Sequence, residues 1–177
     1  MKNLFSTKRL CRAGVISALY VVLTLVFAPF AFGPVQIRPA EALCILPLFF
    51  AEAIPALTIG CALSNLLSWY SVFDVALGSL ATLLAAIGTY FIGKTFKKHP
   101  IRIALGGLFP ILLNTLIIPI IIVIIFGDTG TYSSVTLAYC LNALTIAGTE
   151  CIWVYAMGAP LYYIVLRLQK RKISLFL

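Results

Sequence analysis

The sequence predicts an all-α integral membrane protein, a six-helix bundle with both termini in the cytoplasm, and three observations carry that prediction. Of its 177 residues, 62% are hydrophobic and 10% are charged, where a soluble domain carries roughly 25% charged residues. Charge is absent from the windows 13–37, 53–73, 75–93, 103–127, 129–149 and 151–166, and about 20 apolar residues cross a hydrocarbon layer of about 30 Å. The basic residues fall into three clusters: Lys2, Lys8, Arg9 and Arg12; Lys94, Lys97, Lys98 and Arg102; Arg167, Lys170, Arg171 and Lys172. Short segments rich in Lys and Arg beside spans mark the cytoplasmic face. The net charge of +8 therefore reads as membrane topology, and no nucleic-acid partner is expected.

The helices follow in order as one transmembrane domain over residues 1–177. The first, about 13–33, resembles a signal sequence at its basic start, but its apolar run is about twice the usual length and no small-x-small cleavage site follows; a retained helix is expected. Parity sets the next three. With residues 1–12 and 94–102 both inside, an even number of crossings lies between them, and 74–93 is plainly one. Glu52, with Pro55 just beyond, divides the remaining stretch into short helices at about 40–51 and 54–69, since proline is tolerated only in a first turn. Pro100 opens a fifth helix at about 101–126. "GDTGTYSS" at 127–134 is a turn-rich outer loop. The sixth helix, about 135–166, is long enough to tilt or to project from the bilayer.

The five cysteines form no CxxC pair, so no metal or disulfide is expected and they read as small buried hydrophobes. His99, between Lys98 and Pro100, reads as a solvated loop residue. No phosphate-binding loop, HExxH or Ser/His/Asp grouping is present, which argues against an enzyme and against a cofactor.

Functional residues are sought among the few polar groups that the bilayer must accommodate. A charged group at mid-membrane costs at least about 2.5 kcal/mol and normally faces a protein interior or cavity. Glu150 lies midway along the sixth helix. Asn142, Thr149 and Trp153 share one face of that helix and Glu150 lies beside it; it contacts a ligand or ties helices together. Asp74 follows Ser71 by three residues, which fits either a helix cap or a site role. Asn65, with Trp69 and Tyr70 further out, lines the same outer cavity or serves as helix bridge and interfacial anchors. Asn114 is similarly ambiguous. Glu52 is placed on the cytoplasmic side and Asp128 in the outer loop, outside the site. Arg38, Glu41, Asn65, Trp69, Asp74, Asn142 and Glu150 together would line a cavity open to the outside. A carboxylate taking two parallel donors suits a guanine-like edge, and an aromatic face suits a flat heterocycle. Near the basic end of the first helix, Ala13 and Ser17, and Gly14 and Ala18, stand at small-xxx-small spacing, for packing within the bundle or docking on another membrane protein.

"VQIRPAEALCILPLFFAEAIPALTIGCALSNLL" followed by "DVALGSLATLLAA" resembles the queuosine-precursor transporter family (QueT), substrate-binding S components of energy-coupling-factor (ECF) transporters. The likeness is close over roughly 13–95 and departs from the family pattern at Pro39. It implies a carrier in the prokaryotic plasma membrane that has no ATPase of its own. Its implied partners are a transmembrane coupling protein, met through the small residues at 13–18, and two ATP-binding-cassette ATPases. The implied cargo is a deazaguanine base in nitrile or aminomethyl form. Glu150 or Glu41 would accept its ring N–H and amino donors, an Asn would pair with the carbonyl edge, Trp69 or Trp153 would pack on the ring, and Asp74 would pair with an aminomethyl cation. Alternatives are an S component for another vitamin-like molecule, a membrane enzyme acting on lipid, and a stand-alone proton-coupled carrier using Glu150.

Overall fold

The structure, a computed structural model, describes residues 6–32, 36–68 and 71–171, and all regular structure among them is helical. We number the α-helices α1 (Thr7–Val26), α2 (Ala53–Asn65), α3 (Asp74–Thr95), α4 (His99–Ile125) and α5 (Val135–Lys170). A 3₁₀ helix, Pro39–Leu48, stands between α1 and α2. Of these, α1, α3, α4 and α5 are long and apolar enough to cross a bilayer, while α2 and the 3₁₀ helix are shorter and equally apolar. Large apolar side chains such as Val22, Leu63, Leu84, Leu116 and Leu144 face outward, the inverse of a soluble surface and the pattern of a multi-pass membrane protein.

Several boundaries differ from the expected ones for identifiable reasons. Helix α1 begins at Thr7, so Lys8, Arg9 and Arg12 lie within it. Long basic side chains are good helix formers and reach water from a membrane edge. It ends early because Pro29, in the single turn Ala28–Ala31, cannot continue it. The expected helix at 40–51 is a correction in type: it is 3₁₀, and all ten of its residues are buried. Pro39 fits at its first position, preceded by Arg38 outside the α region (φ −119°, ψ 87°), a region that the residue before a proline avoids. The helix expected at 54–69 ends at Asn65. His99 is not a free loop residue; it starts α4, and its Nδ1 is hydrogen-bonded to the Tyr162 hydroxyl at 2.8 Å. Of the cysteines, Cys44 and Cys61 are buried as expected, but Cys11, Cys140 and Cys151 are on the outside of the bundle.

Contacts fix the arrangement of the ends. Arg12 and Glu52 form an ion pair at 2.6 Å, Arg102 donates to the Leu48 carbonyl at 2.6 Å, and His99 meets Tyr162. This end gathers the start of α1, the ends of the 3₁₀ helix and α3, the start of α4 and the end of α5. At the opposite end Arg38 reaches Asn65, and Phe73, just before α3, packs edge-on against Phe126 at 5.6 Å. Successive helices therefore alternate in direction. Every described Lys and Arg except Arg38 belongs to the first end.

The 3₁₀ helix is the axis of the bundle, touching all five α-helices. Small residues allow that approach. A Cβ on Gly93 would stand 2.6 Å from the Leu48 carbonyl oxygen and 2.8 Å from its Cα, and one on Gly158 would stand 3.2 Å from the Ala42 oxygen. Because the Gly93 contact is backbone against backbone, neither partner can rotate away. Gly93→Ala is expected to lower stability by about 1–3 kcal/mol, as overpacking does, seen as a lower melting temperature of the purified protein in detergent. An unchanged melting temperature would mean that α3 shifts freely there.

Breaks in the helical ladder are repaired by side chains. Pro110 inside α4 deprives the Gly106 carbonyl of its donor, and the buried Thr89 hydroxyl of α3 donates to that oxygen at 2.8 Å. Such repair is required where no water is present.

Candidate functional site

Around the Arg38 end of the 3₁₀ helix the bundle buries a set of polar and charged groups. Glu41 is 1% exposed. Its Oε1 accepts a hydrogen bond from the Tyr20 hydroxyl of α1 at 2.6 Å, and its Oε2 accepts from Cys44 Sγ at 3.1 Å. One helical turn of the backbone carries both Glu41 and Cys44, so this half of the cluster is fixed locally. Arg38, 4% exposed, donates through Nη2 to Asn65 Oδ1 and lies over the Phe32 ring at 5.3 Å. Asn65 closes the link to α3, its Nδ2 donating to the Asp74 carbonyl at 2.9 Å.

Helix α3 opens there in a π-helical stretch, Asp74–Gly78, and such stretches recur at functional sites. Gly78 is required beside it, since a Cβ there would stand 2.8 Å from Asn65 Nδ2. The Asp74 carboxylate accepts from Ser68 Oγ through Oδ2. The Ser71 side chain, the other half of the cap considered from sequence, lies outside the described residues. On the far side Asn114 of α4 donates to Glu150 Oε1 of α5 at 2.8 Å, and Glu150 lies within electrostatic range of Glu41 and Arg38. Another π-helical stretch, Ile152–Met157, follows just after Glu150.

The structure thus brings Arg38, Glu41, Asn65, Asp74 and Glu150 together, with one cation facing three carboxylates. Three buried atoms of this set have no hydrogen-bond partner among the described residues: Arg38 Nε, Asp74 Oδ1 and Glu150 Oε2. Buried polar atoms are rarely left unpaired, because each costs about 1–3 kcal/mol. The unpaired atoms present one donor and two acceptors, which suits a small polar molecule with matching groups.

Other expected members lie elsewhere. Asn142 is half-buried, its Nδ2 donates to Ala138 O at 3.0 Å, and with Ile122, Asp128 and Tyr132 it lines a separate pocket of about 260 Å³ under the 127–134 loop. Eight residues, about 12 Å of helix, separate it from Glu150. Trp153 is half-buried in the π-helical stretch Ile152–Met157, and Trp69 lies outside the described residues. Ala13 and Ser17 face α2, where Gly60 allows close approach to the Ser17 carbonyl, whereas Gly14 and Ala18 face outward. Glu52 is taken up by Arg12, away from the cluster.

Sequence reasoning missed Tyr20, Ser68 and the pairing role of Asn114. The signal for Tyr20 was present: Arg12, Ile16, Tyr20 and Thr24 form one buried stripe of α1, and a hydroxyl carried into a membrane on such a stripe requires a partner. Ser68 sits in an irregular turn beyond α2, where no periodicity points inward.

The family model described as QueT transporter matches residues 10–167. A queuosine precursor transporter QueT from Lactococcus lactis subsp. cremoris (strain MG1363) is 42% identical over 72 residues, which make up 40% of this chain and 42% of that relative. No solved structure matches the chain.

Proposed function

The chain belongs to the QueT transporter family, and from that premise we propose that it is the substrate-binding subunit of an ECF-type importer. In this reading it takes a queuosine precursor, a deazaguanine base, from outside the plasma membrane and delivers it inward with a coupling protein and two ATPases. The carrying observation is the buried cluster with its three unpaired atoms. The basic end is cytoplasmic in this reading, so the Arg38 end faces out.

The hydrogen bonding favours particular roles. Both oxygens of Glu41 are already engaged, so Glu41 acts as a fixed negative wall. Glu150 keeps Oε2 free and is the better acceptor for a ring N–H or amino donor of a guanine-like edge. Asp74, with Oδ1 free, suits an aminomethyl cation, and Arg38 Nε suits a carbonyl or nitrile acceptor. The outward-facing Gly14 and Ala18 supply a close-approach surface for the coupling protein.

Titration of the purified protein is expected to show saturable binding of aminomethyl- or cyano-deazaguanine, weaker binding of guanine and none of unrelated vitamins. A different vitamin-like compound copurifying with the protein, identified by mass spectrometry, would reassign the cargo. Uptake by cells lacking a coupling module would instead indicate a stand-alone carrier driven through Glu150.

A further inference from the structure

Two hollows meet at Arg12 on the basic end of the bundle. One is a groove of about 240 Å³ between α1, the 3₁₀ helix and the end of α5, lined by Val15, Leu19, Leu46 and Leu161 among other apolar side chains. The second is a polar pocket of about 370 Å³ just beyond the helix ends, where Lys8, Arg9, Arg12 and Lys94 converge. Arg12 and Phe50 line both. Within the polar pocket the one carboxylate is Glu52, which is bonded to Arg12. Lys94 is held over the Tyr90 ring at 5.3 Å, and the Arg12 guanidinium lies 4.2 Å from the Phe50 ring centroid.

We propose that these two hollows form one binding site for an anionic phospholipid, with an acyl chain in the groove and the phosphate headgroup among Lys8, Arg9, Arg12 and Lys94. Each half answers one half of such a molecule. The groove offers no polar partner below Arg12, which suits a hydrocarbon chain and excludes a charged ligand from its depth. The polar pocket has an excess of positive charge at the level of the bilayer edge, where basic pockets between helices hold lipid headgroups. A free phosphate would use only the pocket, and a neutral lipid would gain nothing from the cations. The site is separate from the Arg38–Glu150 cluster and lies on a different face of α1 from Gly14 and Ala18, so it stands whether or not the cargo assignment does.

The test is lipid retention by the full-length protein purified in mild detergent, read by native mass spectrometry after incubation with phosphatidylglycerol, phosphatidylcholine or inorganic phosphate. Phosphatidylglycerol is expected to remain bound to the wild type, and Lys8→Gln combined with Lys94→Gln is expected to weaken retention by roughly tenfold or more. Lys8→Arg with Lys94→Arg should restore it. Leu19→Trp, which fills the groove, should abolish retention while the protein stays monodisperse. Equal retention of phosphatidylcholine would overturn the proposal. So would displacement by inorganic phosphate together with indifference to Leu19→Trp, which would identify a phosphate site alone. Occupation of the groove by the chain's own terminal residues would appear as retention of neither lipid, and would overturn it too.

Discussion

Replacing Arg38 by methionine is expected to destabilise the protein by about 3–5 kcal/mol, the usual cost of leaving buried charge without its partner, and to abolish cargo binding. Arg38 is 4% exposed, and it is the cation in reach of Glu41, Asp74 and Glu150. Methionine keeps the length and volume of the stem, so the loss reports charge rather than a cavity. It also leaves Asn65 Oδ1 without its donor. Thermal unfolding in detergent measures the effect. Because Arg38→Met alone risks failing to fold, Arg38→Met with Asp74→Asn serves as the companion: removing one carboxylate should recover part of the stability but none of the binding. A melting temperature unchanged in Arg38→Met would mean that the carboxylates around it are held uncharged.

The second large effect is on affinity alone. Glu150→Gln preserves the shape of the side chain and the oxygen that receives Asn114, but turns the free Oε2 into an amide donor. A ligand edge that offers two donors then meets a donor. Losing a charged hydrogen bond and burying that mismatch is expected to cost about 3 kcal/mol, roughly a hundredfold in Kd. Stability should hold or rise, since a buried charge whose Oε2 has no hydrogen-bond partner among the described residues has been removed. Isothermal titration on the folded variant gives the answer, and an unchanged Kd would take Glu150 out of the ligand's reach.

Much of the architecture was legible because the bilayer writes itself into the chain. Charges can stand only at membrane edges or in protein interiors, so Glu52, Asp74, Lys94 and Arg102 lie near helix ends, whereas Arg12 lies inside α1. The same reasoning groups Arg38, Glu41, Asn65, Asp74 and Glu150 with Trp69 and Asn142; the first five lie together in the structure. What it missed has a common cause. In a window where almost every residue is apolar, periodicity carries little information, so "PAEALCILPL" could not be told apart as 3₁₀ rather than α. The π-helical stretches at Asp74 and Ile152 were invisible for the same reason. Asn142 was drawn into the site by its angular position on α5, which says nothing about its distance along the axis.

The ten-residue 3₁₀ rod has one more consequence. An ordinary amphipathic helix keeps a free side on which substitutions pass unnoticed, but every residue of Pro39–Leu48 is buried. Evolutionary drift along it has nowhere to hide: a change at any of its ten positions is felt by some neighbouring helix, and the run behaves as a keystone whose shape all the surrounding pieces must share.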